Sequence, residues 1–131
     1  MHPNILIVDD SPILRSCIRK VARVAGFTDD HIFEASNGEE ALEVLGMVKT
    51  DLVLLDINMP VMDGETFAGE VRKRPDIAGI DIVVVSTEAN EDRLDRLRDL
   101  GVLEVLHKPF EPEDLVRIMA RITGNAKEKA A

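Results

Sequence analysis

The chain is 131 residues long, enough for one domain with a sizeable core. Apolar residues make up 45% of it, so disorder is not the default reading, and a formal charge of −9 argues against a nucleic-acid-binding surface, because phosphate contacts need clustered Lys and Arg. The single cysteine, Cys17, forbids an internal disulfide and points to a reducing compartment.

The opening stretch MHPNILIVDD holds an apolar run too short for a secretory signal, and acids end it at once. No stretch approaches the roughly 20 apolar residues of a membrane span, so the chain reads as soluble and cytoplasmic. The first strand is ILIV (5–8). Leu14, Cys17, Ile18, Val21 and Ala25 then recur at helical spacing, which places the Cys17 thiol in the core, and Gly26 closes the helix. IFEA (32–35) is the second strand. Asn37, with Glu40 three residues on, has the form of a helix cap ahead of Ala41, Leu42, Leu45 and Val48. LVLL (52–55) is the third strand, and Asp63-Gly64 opens a helix through Phe67 and Val71 that stops near Pro75. IVVV (82–85) is the fourth strand; Leu94, Leu97 and Leu100 mark the helix after it, ending at Gly101. VLEVLH (102–107) is the fifth, and Glu111-Pro112 opens a last helix with Leu115, Ile118, Met119 and Ile122 on its apolar side and Gly124 as its end. Residues 1–124 thus form one domain, and NAKEKAA (125–131) is a short polar tail, or the start of a linker if the chain is a module of a longer protein.

Strand and helix alternate five times, a (βα)5 pattern, and strands 1, 3 and 4 are unbroken Val, Ile and Leu, as strands covered on both faces must be. Right-handed crossovers then give an α/β fold with a doubly wound, open, five-stranded parallel sheet. In such sheets ligands bind beyond the carboxyl ends of the strands. The first strand ends in Asp9 and Asp10, the third in Asp56, the fourth in Ser86, and the fifth in Lys108-Pro109. If strands 1 and 3 are neighbours, three carboxylates share one crevice and repel, unless a cation compensates them. Oxygen donors with no His or Cys at ligand spacing favour Mg²⁺ over zinc, with Asp10, Asp56 and the Asn58 carbonyl as direct ligands and Asp9 acting through water. Asp56 can then act as a nucleophile toward a phosphoryl group, whose oxygens Lys108 meets as a point charge and Ser86 as a hydroxyl donor.

These motifs, ILIVDDS, LVLLDINMPVMDG, Ser86 and KPF at 108–110, stand in order and span residues 4 to 123. Together the chain resembles the response-regulator receiver domains of two-component signalling, and is similar to the single-domain, CheY-like chemotaxis regulators. The resemblance implies a flavodoxin-like sheet of order 2-1-3-4-5 and a monomer. It implies Mg²⁺-dependent transfer of a phosphoryl group to Asp56 from a histidine kinase or phosphotransfer domain, followed by self-dephosphorylation. The protein would then be a phosphoacceptor switch rather than an enzyme acting on other molecules. A cis Lys108–Pro109 bond is also implied, since only proline makes that isomer cheap. Asn58 and Glu88, two residues after Asp56 and Ser86, would tune dephosphorylation and give a phosphoaspartate lasting minutes or less rather than hours. The family's switch aromatic, three residues before the lysine, is here Val105, so Ser86 is the part of the switch that remains. Arg15, Arg19 and Arg23 form a helical stripe that in this family would dock the kinase or phosphotransfer domain. The face of helix 4, strand 5 and helix 5 would meet an effector.

Other features read more simply. Helix 4 alternates charges, with Asp92 four residues before Arg96, as an exposed helix does. His107 points away from Lys108 by strand alternation, His2 and His31 are surface residues, and Met59, Met62 and Phe67 are loop and core packing. GETFAG lacks the spacing of a phosphate-binding glycine loop. A haloacid-dehalogenase-type phosphatase would need a second Asp two residues after the nucleophile, where Asn58 stands, and a cap domain for which there is no room. The remaining alternatives are a binding module that has lost phosphorylation, a relay intermediate, and a regulator whose output domain lies outside this sequence.

Overall fold

The computed structural model describes residues 2–130, with side chains through Ile122. Five parallel strands, β1 (Ile5–Val8), β2 (Ile32–Ala35), β3 (Leu52–Leu55), β4 (Asp81–Ser86) and β5 (Glu104–His107), lie in the order β2-β1-β3-β4-β5. The helices between and after them are α1 (Pro12–Val24), α2 (Gly38–Met47), α3 (Gly64–Lys73), α4 (Glu91–Asp99) and α5 (Pro112–Ala130). This is the doubly wound flavodoxin-like order expected of the sequence.

The unbroken apolar strands serve both faces at once, because successive side chains point to opposite sides. Ile5, Ile7, Leu52, Leu54, Val83 and Val85 join α1 and α5 in one core cluster. Leu6, Val8, Val53, Leu55, Ile82 and Val84 join α2, α3 and α4 in the other. At roughly 25 cal/mol per Å² of apolar surface removed from water, these two layers supply the main drive for folding.

Local chemistry sets the helix ends. Pro12 occupies the first turn of α1, Ser11 caps it by accepting from the Leu14 amide, and Gly26 leaves it at φ +107°. Asn37 accepts from the Glu40 amide at 2.9 Å, but Glu40 reaches Ser36 rather than Asn37, accepting from its amide at 3.0 Å and its hydroxyl at 2.7 Å. Those two bonds hold the Glu40 carboxyl below the usual range. Asp63 and Asn90 cap α3 and α4 in the same way.

Three expectations need correction. Cys17 is exposed: the buried side of α1 is Ile18, Val21 and Ala22, and Cys17 stands one step round the helix from that stripe. Gly124 does not end α5, which continues to Ala130; one helical Gly costs only about 1 kcal/mol, and the Ala and Lys residues that follow favour a helix. His31 is partly covered, its ring 5.2 Å from that of His2 and its Nδ1 2.7 Å from the Asn4 side-chain oxygen. The strand ends differ by one or two residues: β4 gains Asp81 and Ser86, and β5 begins at Glu104.

Arg72 fastens α3 to the turns beside it. Its guanidinium donates to the carbonyls of Leu100 (2.6 Å), Ala78 (2.8 Å), Ile80 (2.8 Å) and Gly101 (3.2 Å). Burial lowers its pKa, and nearby Asp81 opposes that shift. A lysine keeps the charge but cannot span four acceptors with a planar fork. Arg72→Lys is expected to cost roughly 1–2 kcal/mol of stability, read from the urea midpoint; an unchanged midpoint would mean that water serves those carbonyls equally well.

Candidate functional site

Strand register brings the acids together. Val8 lies opposite Leu55 in the β1–β3 ladder, so Asp9 and Asp56 leave adjacent strands at the same level. The Asp56 amide donates to the Val8 carbonyl at 2.9 Å, and the Asp9 amide to the Ala35 carbonyl at 3.1 Å. Carboxylate oxygens of Asp9, Asp10 and Asp56 all lie within 4.8 Å of one another. Asp9 and Asp56 are buried while Asp10 is exposed, which gives the cluster a covered floor and an open rim.

Lys108 crosses from the end of β5 into this cluster. Its Nζ lies 2.8 Å from Asp9 Oδ2 and 3.4 Å from Asp56 Oδ2, with only 16% of the side chain exposed. The Lys108–Pro109 peptide is cis. One cation against three carboxylates leaves the cluster negative, and oxygen-only donors at this spacing suit a hard divalent ion such as Mg²⁺. Asp9 is already engaged on both oxygens, by Lys108 and by the Ser11 amide at 2.9 Å. On Asp56, Oδ1 accepts from the Ile57 amide at 2.8 Å, while Oδ2, among the described residues, has the longer Lys108 contact alone.

Ser86, at the end of β4, is buried, and its Oγ accepts from the Glu88 amide at 3.2 Å. That leaves its hydroxyl hydrogen to donate. The Lys108 amide donates to the Ser86 carbonyl at 3.0 Å, tying the two strand ends together. Val105 is half-buried beside Val84 and packs on the second core cluster. His107 is exposed.

Asn58 and Glu88 meet across the rim. The Asn58 amide donates to Glu88 Oε2 at 3.2 Å, and Glu88 Oε1 accepts from the Asn90 amide at 3.1 Å. These bonds, led by Asn58, hold the Glu88 carboxyl below the ordinary range. Glu88 therefore supports the entry to α4. Arg93, which sequence reasoning passed over as one charge in an alternating helix, joins both: its Nη1 donates to Asn58 Oδ1 at 2.8 Å and to Glu88 Oε2 at 3.1 Å. Nothing in the local sequence signals a contact that spans 35 residues.

The arginine stripe of α1 turns largely inward. Arg15 donates to the Asp9 carbonyl at 2.6 Å and to Glu34 at 3.0 Å, and so braces the acidic corner from behind. Arg19 binds Glu34 and Asp29, and Arg23 binds Asp29. Arg15 and Arg19 are only 17% and 21% exposed, whereas Ile13 and Val24 on the same helix are 84% and 79% exposed. On α4, Arg96 pairs through two nitrogens with Glu65 of α3, at 3.1 Å each.

Residues 5–120 match the family described as the response regulator receiver domain. Among curated relatives, the sensor histidine kinase CheAY of Helicobacter pylori is 38% identical over 89% of this chain and 14% of its own length. The transcriptional regulatory protein PdtaR of Mycobacterium tuberculosis is 35% identical over 98% of this chain and 60% of its own length. The chain therefore spans only part of these relatives. Among solved structures, the chemotaxis protein CheY4 of Vibrio cholerae superposes with a TM-score of 0.83 at 30% identity, covering 93% of this chain and 99% of that one.

Proposed function

The chain belongs to the response regulator receiver domain family of two-component signalling, and from that premise we propose that it is a Mg²⁺-dependent phosphoacceptor switch modified on Asp56. The observation that carries this reading is the grouping of Asp9, Asp10 and Asp56 at the ends of β1 and β3, with Lys108 reaching Asp9 and Asp56 from the end of β5. Asp10, Asp56 and the Asn58 carbonyl would hold the metal directly, and Asp9, already bonded twice, through water. When bound, Mg²⁺ supplies charge neutralisation for the incoming phosphoryl oxygens.

Phosphohistidine on a kinase or phosphotransfer domain is the donor. An Asp56 oxygen attacks phosphorus, the P–N bond breaks with its electron pair going to nitrogen, and the imidazole leaves as the neutral ring, its proton supplied by solvent. Lys108 and the Ser86 hydroxyl meet the transferred oxygens, and drawing Ser86 toward them shifts the loop into α4. Since position 105 is Val, this loop movement is the readout. Water later attacks phosphorus, inorganic phosphate departs and the Asp56 carboxylate is restored, with Asn58 and Glu88 orienting the water. The donor docks on α1, through Arg23 and the exposed Ile13 and Val24 rather than the covered Arg15 and Arg19. An effector reads the face of α4, β5 and α5.

The test is intact mass after incubation with acetyl phosphate, with Mg²⁺ or with a chelator. A single added phosphoryl group is expected only with the metal, and hydroxylamine should release it as it does any acyl phosphate. Absence of uptake, or an adduct stable to hydroxylamine, would refute the reading.

A further inference from the structure

Among the described residues, Arg93 is the one cation that reaches both candidate water-orienting groups. Its Nη1 binds Asn58 Oδ1 and Glu88 Oε2, while Asn58 binds Glu88, so the three side chains close a ring across the rim. Its remaining nitrogens lie 3.6 Å from Asp63 and 3.8 Å from Glu65, which anchor the guanidinium on the start of α3. Only a quarter of the Arg93 side chain is exposed.

The geometry points to Arg93 as the positioning residue for self-dephosphorylation, acting through Asn58 and Glu88. The inference rests on the phosphoacceptor reading of Asp56. Two physical effects carry it. Asn58 is exposed on a loop, and without the ring both side chains would sample several rotamers before a water could be aligned. Glu88 is an anion that must stay near a dianionic phosphoryl group, and the Arg93 charge beside it removes most of that repulsion. Losing the guanidinium therefore leaves Glu88 with its bonds from the Asn58 and Asn90 amides but without the cation that holds its charge beside the phosphoryl group. Arg93 binds the Asn58 side chain rather than the carbonyl proposed for the metal, and its bonds go to Asn58, Glu88, Asp63 and Glu65 rather than to Asp56, so uptake does not depend on it.

The experiment follows phosphoryl loss by intact mass after removal of acetyl phosphate. Arg93→Ala is expected to slow decay about tenfold, the factor that corresponds to ordering one rotamer-rich side chain, with uptake unchanged. Arg93→Lys, which restores charge without the fork, should fall between that variant and the wild type. Glu88→Ala should slow decay on its own, and adding Arg93→Ala to it should change little, because both act at one point. Arg98→Ala, removing a cation of the same helix that pairs with Glu91 and Asp95, should leave decay alone. Decay at the wild-type rate or faster in Arg93→Ala, or fully additive effects in the double variant, would overturn the inference while leaving the phosphoacceptor reading intact. Failure of the wild type to take up phosphoryl would overturn both.

Discussion

Asp56→Asn should take up no phosphoryl group, and should melt at a higher temperature than the wild type when metal is absent. The amide is nearly isosteric, and its oxygen can still accept from the Ile57 amide, so the backbone has no reason to move. Two repulsions, from Asp9 and Asp10 within 4.8 Å, are relieved, and one attraction, to Lys108 at 3.4 Å, is lost. At an effective dielectric near 20 each contribution is a few kcal/mol, so about 1–2 kcal/mol remains in favour of the amide. For a domain of this size that is a rise of roughly 3–6 °C. With Mg²⁺ the order should change: metal binding stabilises the wild type by mass action, and the variant, lacking one anionic ligand, gains far less. Melts in chelator and in Mg²⁺, beside intact mass, check all three statements. Uptake by the variant would move the acceptor elsewhere, and a lower melting point in chelator would mean that Lys108 outweighs the acid pair.

Gly64→Ala should both destabilise the domain and impair uptake. A methyl group there would run into the carbonyl oxygen of Asp56 and come within 2.9 Å of Ile57 Cα, both of them backbone atoms that cannot rotate aside. The Gly64 amide also donates to the Ile57 carbonyl at 2.8 Å, so the start of α3 is bonded to the strand exit that carries the acceptor. Forcing these segments apart should cost roughly 2–3 kcal/mol, as overpacking does. The loop has little slack, since Val61 already sits at φ +69°, a conformation that costs a β-branched residue about 1–2 kcal/mol. Uptake should fall more than stability alone explains, because a shift of about 1 Å in the nucleophile is worth about a hundredfold in rate. Comparing the uptake rate at a temperature where the variant is fully folded separates the two effects. Wild-type uptake in a destabilised variant would show that α3 can move without carrying Asp56.

Much of this was legible in the chain itself. Unbroken runs such as ILIV and LVLL require cover on both faces, and their alternation with amphipathic stretches requires a parallel sheet. Once strands end in Asp9, Asp10, Asp56, Ser86 and Lys108, the sheet itself delivers those groups to one edge. Caps at Asn37, Asp63 and Asn90 are equally local, since the side chain bonds an amide three residues on. Periodicity was a weaker guide at the margin of a helix face, where one step of 100° separates buried Ile18 from exposed Cys17. Side-chain partners were a different matter. Helical spacing presents Arg15 and Arg19 as a stripe, yet Glu34 and Asp29 claim them; it sets Arg96 beside Asp92, yet Glu65 binds it; and no local pattern marks Arg72 or Arg93. A long flexible cation is drawn to whichever acceptors the packed elements leave within its reach, and those acceptors come from distant segments. Apolar pattern and strand ends thus determined the sheet and the contents of its edge, while tertiary packing alone decided which arginines face outward and which hold the rim of the site.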